Sequence, residues 1–292
     1  MISNVIVINK NSTTCEYKDQ HDQKERAKLW GVASTAYRQI LKPVAFTTQY
    51  CLDALDLTIG KDVQQPLKLL DVACGYGALT IPAAQRIAPA GGSIMGIDIS
   101  PGMLEQLKIE SQGFNNISSA CMNGEDLQLE DNQFDYVYSA FGLILFSDRD
   151  KGLKELHRVV KKGGKATITS WPYDCEFFTW MQRSYRRISE DEMPDEAIKR
   201  ITLGDGEFLR ESFEKAGFHS FKVHTFIKVM PLPIDNMMEF FKEHPLIKMF
   251  QSYLPVEKKD LFHFAIRDEL QSMFPNGKMN LHVRCAVAIG TK

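Results

Sequence analysis

The stretch LLDVACGYGALT, residues 69–80, constrains this chain more than any other. An apolar run meets an acid at Asp71 and then three very small residues at alternate positions, Ala73, Gly75 and Gly77. The apolar run predicts a buried strand. Small residues straight after it leave the main chain bare, which is needed where a ligand or a neighbouring piece of backbone must lie against the turn. A strand that runs through such a turn into a helix opens a βαβ unit, and the following sequence has to supply more of them.

It does. After LKLLDVA the pattern predicts a helix over GALTIPAAQRI, a strand over SIMGIDI, and a helix beginning at Ser100-Pro101, with Ser as N-cap and Pro at the first helical position. ISSACMN and FDYVYSAFG follow as strands, the second apolar on both faces. DRDKGLKELHRVVKKGG reads as a helix with Asp148 as N-cap, basic residues in its last turn and a Gly stop, before the strand KATITSW. Strands alternating with helices of about 10–15 residues imply right-handed crossovers and a parallel sheet covered on both faces.

Outside this region the rhythm differs. Residues 1–22 are polar and irregular and are expected to form a loose arm; 23–57 carry helical spacing interrupted at Pro43. Beyond Trp171 come two helical blocks, 172–204 and 234–280, around the strand FKVHTFIKV, and then the strand HVRCAVAIGT. These blocks are expected as insertions around one sheet, so that 23–292 forms a single domain with its core at 66–171.

Composition excludes several classes. The 292 residues carry 35 basic and 37 acidic side chains, and no basic tract of the kind that holds nucleic acid appears. The six cysteines form no CxxC pair and no cluster with His, which argues against zinc and for reduced thiols inside a cell. No apolar run reaches the roughly 18 residues that cross a bilayer, and the N-terminus lacks a secretory pattern. A cytoplasmic location is expected; a mitochondrial one stays open, without a clear transit peptide.

Two ligand classes use a small-residue turn at the tip of the first strand. Dinucleotides want G-x-G-x-x-G; here the position three after Gly77 is Thr80, so the third glycine is absent. S-adenosylmethionine is the other. LLDVACGYG resembles the first motif of the class I methyltransferases, and three further stretches agree: GIDIS, MNGEDLQLEDNQFDYV and FGLILFSDRDKGLKELHRVVKKGGKATITSW. Together they resemble the ubiquinone/menaquinone-biosynthesis-type small-molecule methyltransferases over roughly Trp30–Trp171.

The resemblance implies an α/β fold: a doubly wound, mostly parallel seven-stranded sheet with an antiparallel last strand, Rossmann-like, carrying helical insertions that cap the acceptor. It implies S-adenosyl-L-methionine as cofactor. Ala73, Gly75 and Gly77 would line its methionine part and ribose, with Asp71 orienting the turn and the amino group. Asp98 would hold the ribose hydroxyls, and Ile99 and Met103 would pack on the adenine. Asn123, where many relatives have Asp, would meet the adenine amino group, with Gly124 N–H on a ring nitrogen and Glu125 nearby. Ala140 and Phe141 would border the sulfonium, and Tyr37 would close over the methionine carboxylate. Trp30 and Trp171 are candidates for the acceptor pocket.

No catalytic residue and no metal site is assigned. His157 is expected on a helix away from the strand tips, and His219, His224, His244, His263 and His282 are taken as surface or packing residues. Methyl transfer from a sulfonium is an in-line displacement that rests mainly on alignment; a phenol acceptor would need a base, a carbanion-like ring carbon would need its hydroxyl deprotonated, and a basic amine would need neither. The reading that follows is methyl transfer to a small, largely apolar acceptor (quinone- or phenol-like, lipid-like or an amine), by a monomer or homodimer without nucleic-acid or membrane-spanning partners. Two rivals use the same turn: a non-catalytic subunit that kept the fold, and an NAD-linked oxidoreductase, which the missing glycine disfavours.

Overall fold

The computed structural model describes residues 13–199, 201–203 and 206–292, with side chains from residue 23. Of the expected N-terminal arm, 1–12 lie outside the described residues. Helix α1 already begins at Thr13 and runs to Ala36 (Thr13–Ala36); one π-turn, Tyr37–Leu41, follows. Pro43 lies in the succeeding turn, which Ala45 closes at φ 50° before α2, Phe46–Thr58.

Then strand and helix alternate: β1 Lys68–Val72, α3 Thr80–Ile87, β2 Ser93–Asp98, α4 Pro101–Glu110, β3 Ile117–Cys121, β4 Phe134–Ala140, α5 Arg149–Val159 and β5 Val160–Ser170. Two predicted caps form. Ser100 Oγ accepts from Met103 N–H at 3.3 Å, and Asp148 Oδ1 accepts from Lys151 N–H at 2.8 Å. The first helical block supplies α6 Glu176–Arg186 and α7 Asp195–Lys199; α8 Gly206–Lys215 follows it, and β6 is His219–Pro233. The second supplies α9 Ile234–Phe241, α10 Pro245–Ser252 and α11 Leu261–Met273, before β7 Lys278–Thr291.

The strands form one sheet in the order β3-β2-β1-β4-β5-β7-β6. Every pair from β3 to β5 is parallel, and β7 lies antiparallel between β5 and β6. The chain reverses beside β1, so the tips of β1, β2 and β4 open on one crevice, where ligands of such sheets sit.

One boundary differs from the sequence reading. The helix expected to run to Gly164 ends at Val159, and 160–164 are already strand. A Cβ on Gly164 would stand 2.6 Å from Asp135 O, so only glycine lets the chain hug β4 here; the β4–β5 register slips at this point.

Both sheet faces are covered. α5 and α8 bury Leu153, Leu156 and Phe213 against β1, β4 and β5, while α2 and α3 cover the other face through Cys51, Leu55, Ala83 and Ile87. A further cluster joins α2, α6, α9, α10 and α11 to β6 and β7 through Tyr50, Trp180, Phe241, Phe250 and Phe262. The helical blocks therefore share one core with the sheet edge. Among the described residues, no helix is long and apolar enough to cross a membrane.

Candidate active site

The turn after β1 is built from left-handed residues. Ala73, Gly75 and Gly77 have φ of 59°, 55° and 98°. For Ala73 that conformation is strained, and Phe141, at the tip of β4, repeats the device at φ 57°. The two tips lock together: a Cβ on Gly142 would lie 2.5 Å from the Ala73 Cβ. Cys74 N–H donates to Ile97 O at 2.9 Å and ties the turn to β2.

The small residues divide their work. Around Gly75 the nearest atom to a Cβ would be Met103 Sδ at 3.9 Å, so this glycine faces open space and lines the cavity. Gly77 does not line it. Its Cβ position is 2.7 Å from Leu107 Cδ1 and 3.1 Å from Ile81 Cγ1, so the residue is small to admit α4 and α3.

Two buried carboxylates close the strand tips. Asp71, fully buried, accepts from Thr80 Oγ1 at 2.6 Å through Oδ2, while its buried Oδ1 has no hydrogen-bond partner among the described residues. Burial pushes its pKa up to about 7, against the Thr80 hydrogen bonds, with the nearby Asp98 adding to the rise. Asp98 is held by main chain: Oδ2 accepts from Gly75 N–H and Oδ1 from Ser100 N–H, both at 2.9 Å. Burial also raises the Asp98 pKa, against bonds from Ser100, Gly75 and Ile99.

The loop after β3 supplies the next wall. Asn123 Oδ1 accepts from Glu125 N–H at 3.0 Å, so the side chain braces its own turn as well as lining the cavity. Glu125 accepts from Ser147 N–H at 2.8 Å and pairs with Arg26 of α1 at 3.3 Å. Gly124 is hemmed in by the Phe146 ring and by Val72 Cγ1, which would stand 2.8 Å from an added Cβ. Ile99, Met103 and Ala140 complete this half.

The other half of the cavity is aromatic and thioether. Phe141 stacks on Trp171 with centroids 4.2 Å apart, and Trp171 stacks in turn on Phe46 at 5.6 Å. Tyr50 meets the stack edge-on. From the helical blocks come Phe177, Met237, Phe240, Phe241 and His244, and from α1 Trp30. Met237, Phe240 and Phe241 both fill the core and border the cavity, whereas Phe264 is 65 % exposed and does neither.

His244 is the residue that sequence reasoning placed with the packing histidines. It is 4 % exposed, lines the cavity and lies 2.7 Å from Tyr37 Oη through Nε2. Burial pulls its pKa down to about 3. Its one sequence signal is the His244-Pro245 pair, an N-cap followed by Pro at the first helical position of α10. His157 sits far from this, against Phe218 and Gly217. Cys74 lines the cavity with its thiol pKa raised by burial, the opposite of an activated nucleophile.

The cavity has an acidic, main-chain-lined end at the strand tips and an apolar end beneath the helical blocks, and extends over about 1610 Å³ including its open mouth. The acidic end fits a sulfonium nucleoside on two counts. Asp71 Oδ1 has no hydrogen-bond partner among the described residues, and Asp98, whose partners are all main-chain N–H groups, keeps lone-pair capacity for a hydroxyl. Fold and site together define a class I S-adenosylmethionine-dependent methyltransferase.

The ubiE/COQ5 methyltransferase family model matches residues 54–228, and the chain belongs to that family. It is 33% identical over 177 residues to the demethylmenaquinone methyltransferase of Staphylococcus saprophyticus, covering 56% of this chain and 76% of the relative. The Staphylococcus aureus protein of that name is 33% identical over 176 residues, covering 56% and 73%. Among solved structures, the YcgJ protein of Bacillus subtilis superimposes with a TM-score of 0.54 at 16% identity, covering 82% of this chain and 98% of that one. Phosphoethanolamine N-methyltransferase 2 of Haemonchus contortus, in complex with S-adenosyl-L-methionine, gives 0.54 at 19%, covering 90% and 57%. At these identities the structures attest the fold alone. Family membership also sets aside the nicotinamide reading.

Proposed function

We propose that the acceptor is a flat, ring-bearing, largely apolar molecule of the quinol or phenol kind, seated in the aromatic half of the cavity beneath the two helical blocks. The observation that carries this is the Phe141–Trp171–Phe46 stack, which runs from the tip of β4 into the apolar half. Stacked aromatic faces receive a planar ring with offset contacts. The two Staphylococcus relatives are named for action on demethylmenaquinone, a ring acceptor of this class.

On this reading Asp71 receives the cofactor's ammonium group, Asp98 its ribose hydroxyls, and Asn123, Gly124, Ile99 and Met103 its adenine. S-adenosylmethionine supplies a methyl group already activated by the positive sulfur. The chain's own part is to hold the acceptor carbon in line and to keep water away. Alignment of this kind is worth on the order of 7–11 kcal/mol. Among the described residues that line the apolar half, none has a pKa raised or lowered to near 7, which favours an acceptor that arrives already electron-rich.

The test is methyl transfer from isotopically labelled S-adenosylmethionine to a demethylated naphthoquinol, run beside ethanolamine, with mass spectrometry of the products. Label on the naphthoquinol ring is expected. Label on ethanolamine alone, or on neither, refutes the proposed acceptor class.

A further inference from the structure

Tyr37 and His244 are 207 positions apart, yet they meet at 2.7 Å inside the cavity. Tyr37 stands in the π-turn that follows α1; His244 is the N-cap of α10 in the second helical block. Their rings stack at an interplanar angle of 29° with centroids 5.4 Å apart; Trp30 is set edge-on to both, and Phe240 edge-on to Tyr37. No other contact joins the N-terminal helical region to the second block through hydrogen-bonded side chains among the described residues.

The direction of the hydrogen bond follows from the far side of the imidazole. Leu246 N–H donates to His244 Nδ1 at 3.1 Å, so Nδ1 carries a lone pair and no proton. A neutral imidazole has one N–H, which must then sit on Nε2. Burial keeps the ring neutral. Nε2–H therefore donates and Tyr37 Oη accepts. The phenolic proton of Tyr37 is left over, with no other protein partner among the described residues, on a side chain that lines the cavity.

We infer that His244 is a positioning residue, not a base: it fixes Tyr37 as a hydrogen-bond donor toward an oxygen of the acceptor, so the site selects acceptors that carry a carbonyl or ionised hydroxyl on an otherwise apolar ring. This rests on the proposed placement of the acceptor in the aromatic half. It also reassigns Tyr37, which the sequence reading put on the methionine carboxylate. A donor at that oxygen stabilises the negative charge that makes the neighbouring ring carbon nucleophilic.

Two measurements test it. The first needs no acceptor: long-range proton–nitrogen NMR on histidine-labelled protein at neutral pH. The His244 signal, assigned by its loss in His244→Gln, is expected to show a neutral ring with the proton on Nε2. A proton on Nδ1, or a doubly protonated ring, overturns the inference. The second is quenching of tryptophan fluorescence by 1-tetralone, a fused-ring ketone, against tetralin, the same skeleton without oxygen. The full chain carries S-adenosylhomocysteine throughout, and titration of that nucleoside reports that each variant is folded.

Wild type is expected to prefer the ketone, and Tyr37→Phe to lose roughly fivefold to tenfold in ketone affinity, the worth of one neutral hydrogen bond, with tetralin unchanged. His244→Leu should lose the same preference, and His244→Gln, which keeps an N–H donor, should recover part of it. An unchanged ketone preference in Tyr37→Phe overturns the assignment, as does a loss confined to S-adenosylhomocysteine, which would return Tyr37 to the methionine carboxylate. If neither probe binds wild type, the aromatic half does not take ring acceptors. That result overturns the proposed acceptor and the role of Tyr37 toward it together, while the NMR result judges the hydrogen-bond direction on its own.

Discussion

The replacement Asp71→Asn bears most directly on how the acidic end of the cavity binds its ligand. Asp71 is fully buried, one oxygen is taken by Thr80, the other has no partner among the described residues, and burial pushes its pKa up to about 7. Without ligand at pH 7, half of the side chains therefore hold a proton. An ammonium group placed against the free oxygen favours the ionised form, so binding expels that proton. If the bound pKa falls back to the ordinary range, affinity follows the ionised fraction. That fraction is about one half at pH 7 and about 1 % at pH 5, roughly a 50-fold loss, or about 2 kcal/mol. The α-amino group of the cofactor stays protonated over this interval.

Calorimetric titration of S-adenosylmethionine at several pH values between 5 and 7, in buffers of different ionisation enthalpy, measures both the slope and the proton released. Asp98, also raised by burial, adds a slope of the same sign, so the decisive quantity is the difference between wild type and Asp71→Asn. The variant should bind more weakly at pH 7 and lose most of the slope. A wild-type affinity flat from pH 5 to 7, or an identical slope in the variant, refutes the reasoning. The same shift acts on folding. A carboxyl raised from 3.8 to about 7 favours the fold fully at low pH and loses that contribution as pH rises between those values, by up to about 4 kcal/mol. Free of ligand at pH 8, Asp71→Asn should therefore melt above wild type.

Other outcomes are as specific. Asp98→Ala should weaken S-adenosylmethionine by about 1.5–3 kcal/mol, the range for hydrogen bonds to a charged partner, and should also lower the melting temperature, because Gly75 and Ser100 N–H lose their acceptor; titration and thermal melting separate the two. Gly124→Ala forces a methyl against Phe146 and Val72 and should cost about 1–3 kcal/mol, seen as weaker cofactor binding and a lower denaturation midpoint. Glu269 of α11 pairs with Arg183 of α6 and with Arg187, the C-cap of that helix, both half-exposed; Glu269→Ala should cost about 1 kcal/mol in urea unfolding and leave cofactor affinity unchanged.

Much of the molecule was legible because it rests on local rules. Ser100-Pro101 and Asp148 start helices through their own side chains, and alternating strand and helix patterns imply a parallel sheet whatever the loops do. Asp98 was legible because its position at the end of β2 sets it at the crevice. Other roles were not. Gly75 and Gly77 look alike in sequence, and which one faces ligand and which admits α4 depends on where Leu107 lands. Asn123 was assigned outward toward adenine, but its carbonyl also braces the main chain at Glu125. His244 had no partner to point to it, since Tyr37 lies at the other end of the chain.

The division has a physical cause. Period, small residues and caps act over a few neighbouring positions, so the string LLDVACGYGALT and the strands after it determine on their own a parallel sheet with bare main chain at its tips, while the class of cofactor came from the resemblance carried by the later motifs. Contacts between remote segments depend on how the helical blocks pack across the sheet edge. Only the folded chain decided that Trp171 stacks between Phe141 and Phe46, that Asp71 is buried with one oxygen unpaired among the described residues, and that His244 meets Tyr37 from the far end of the chain.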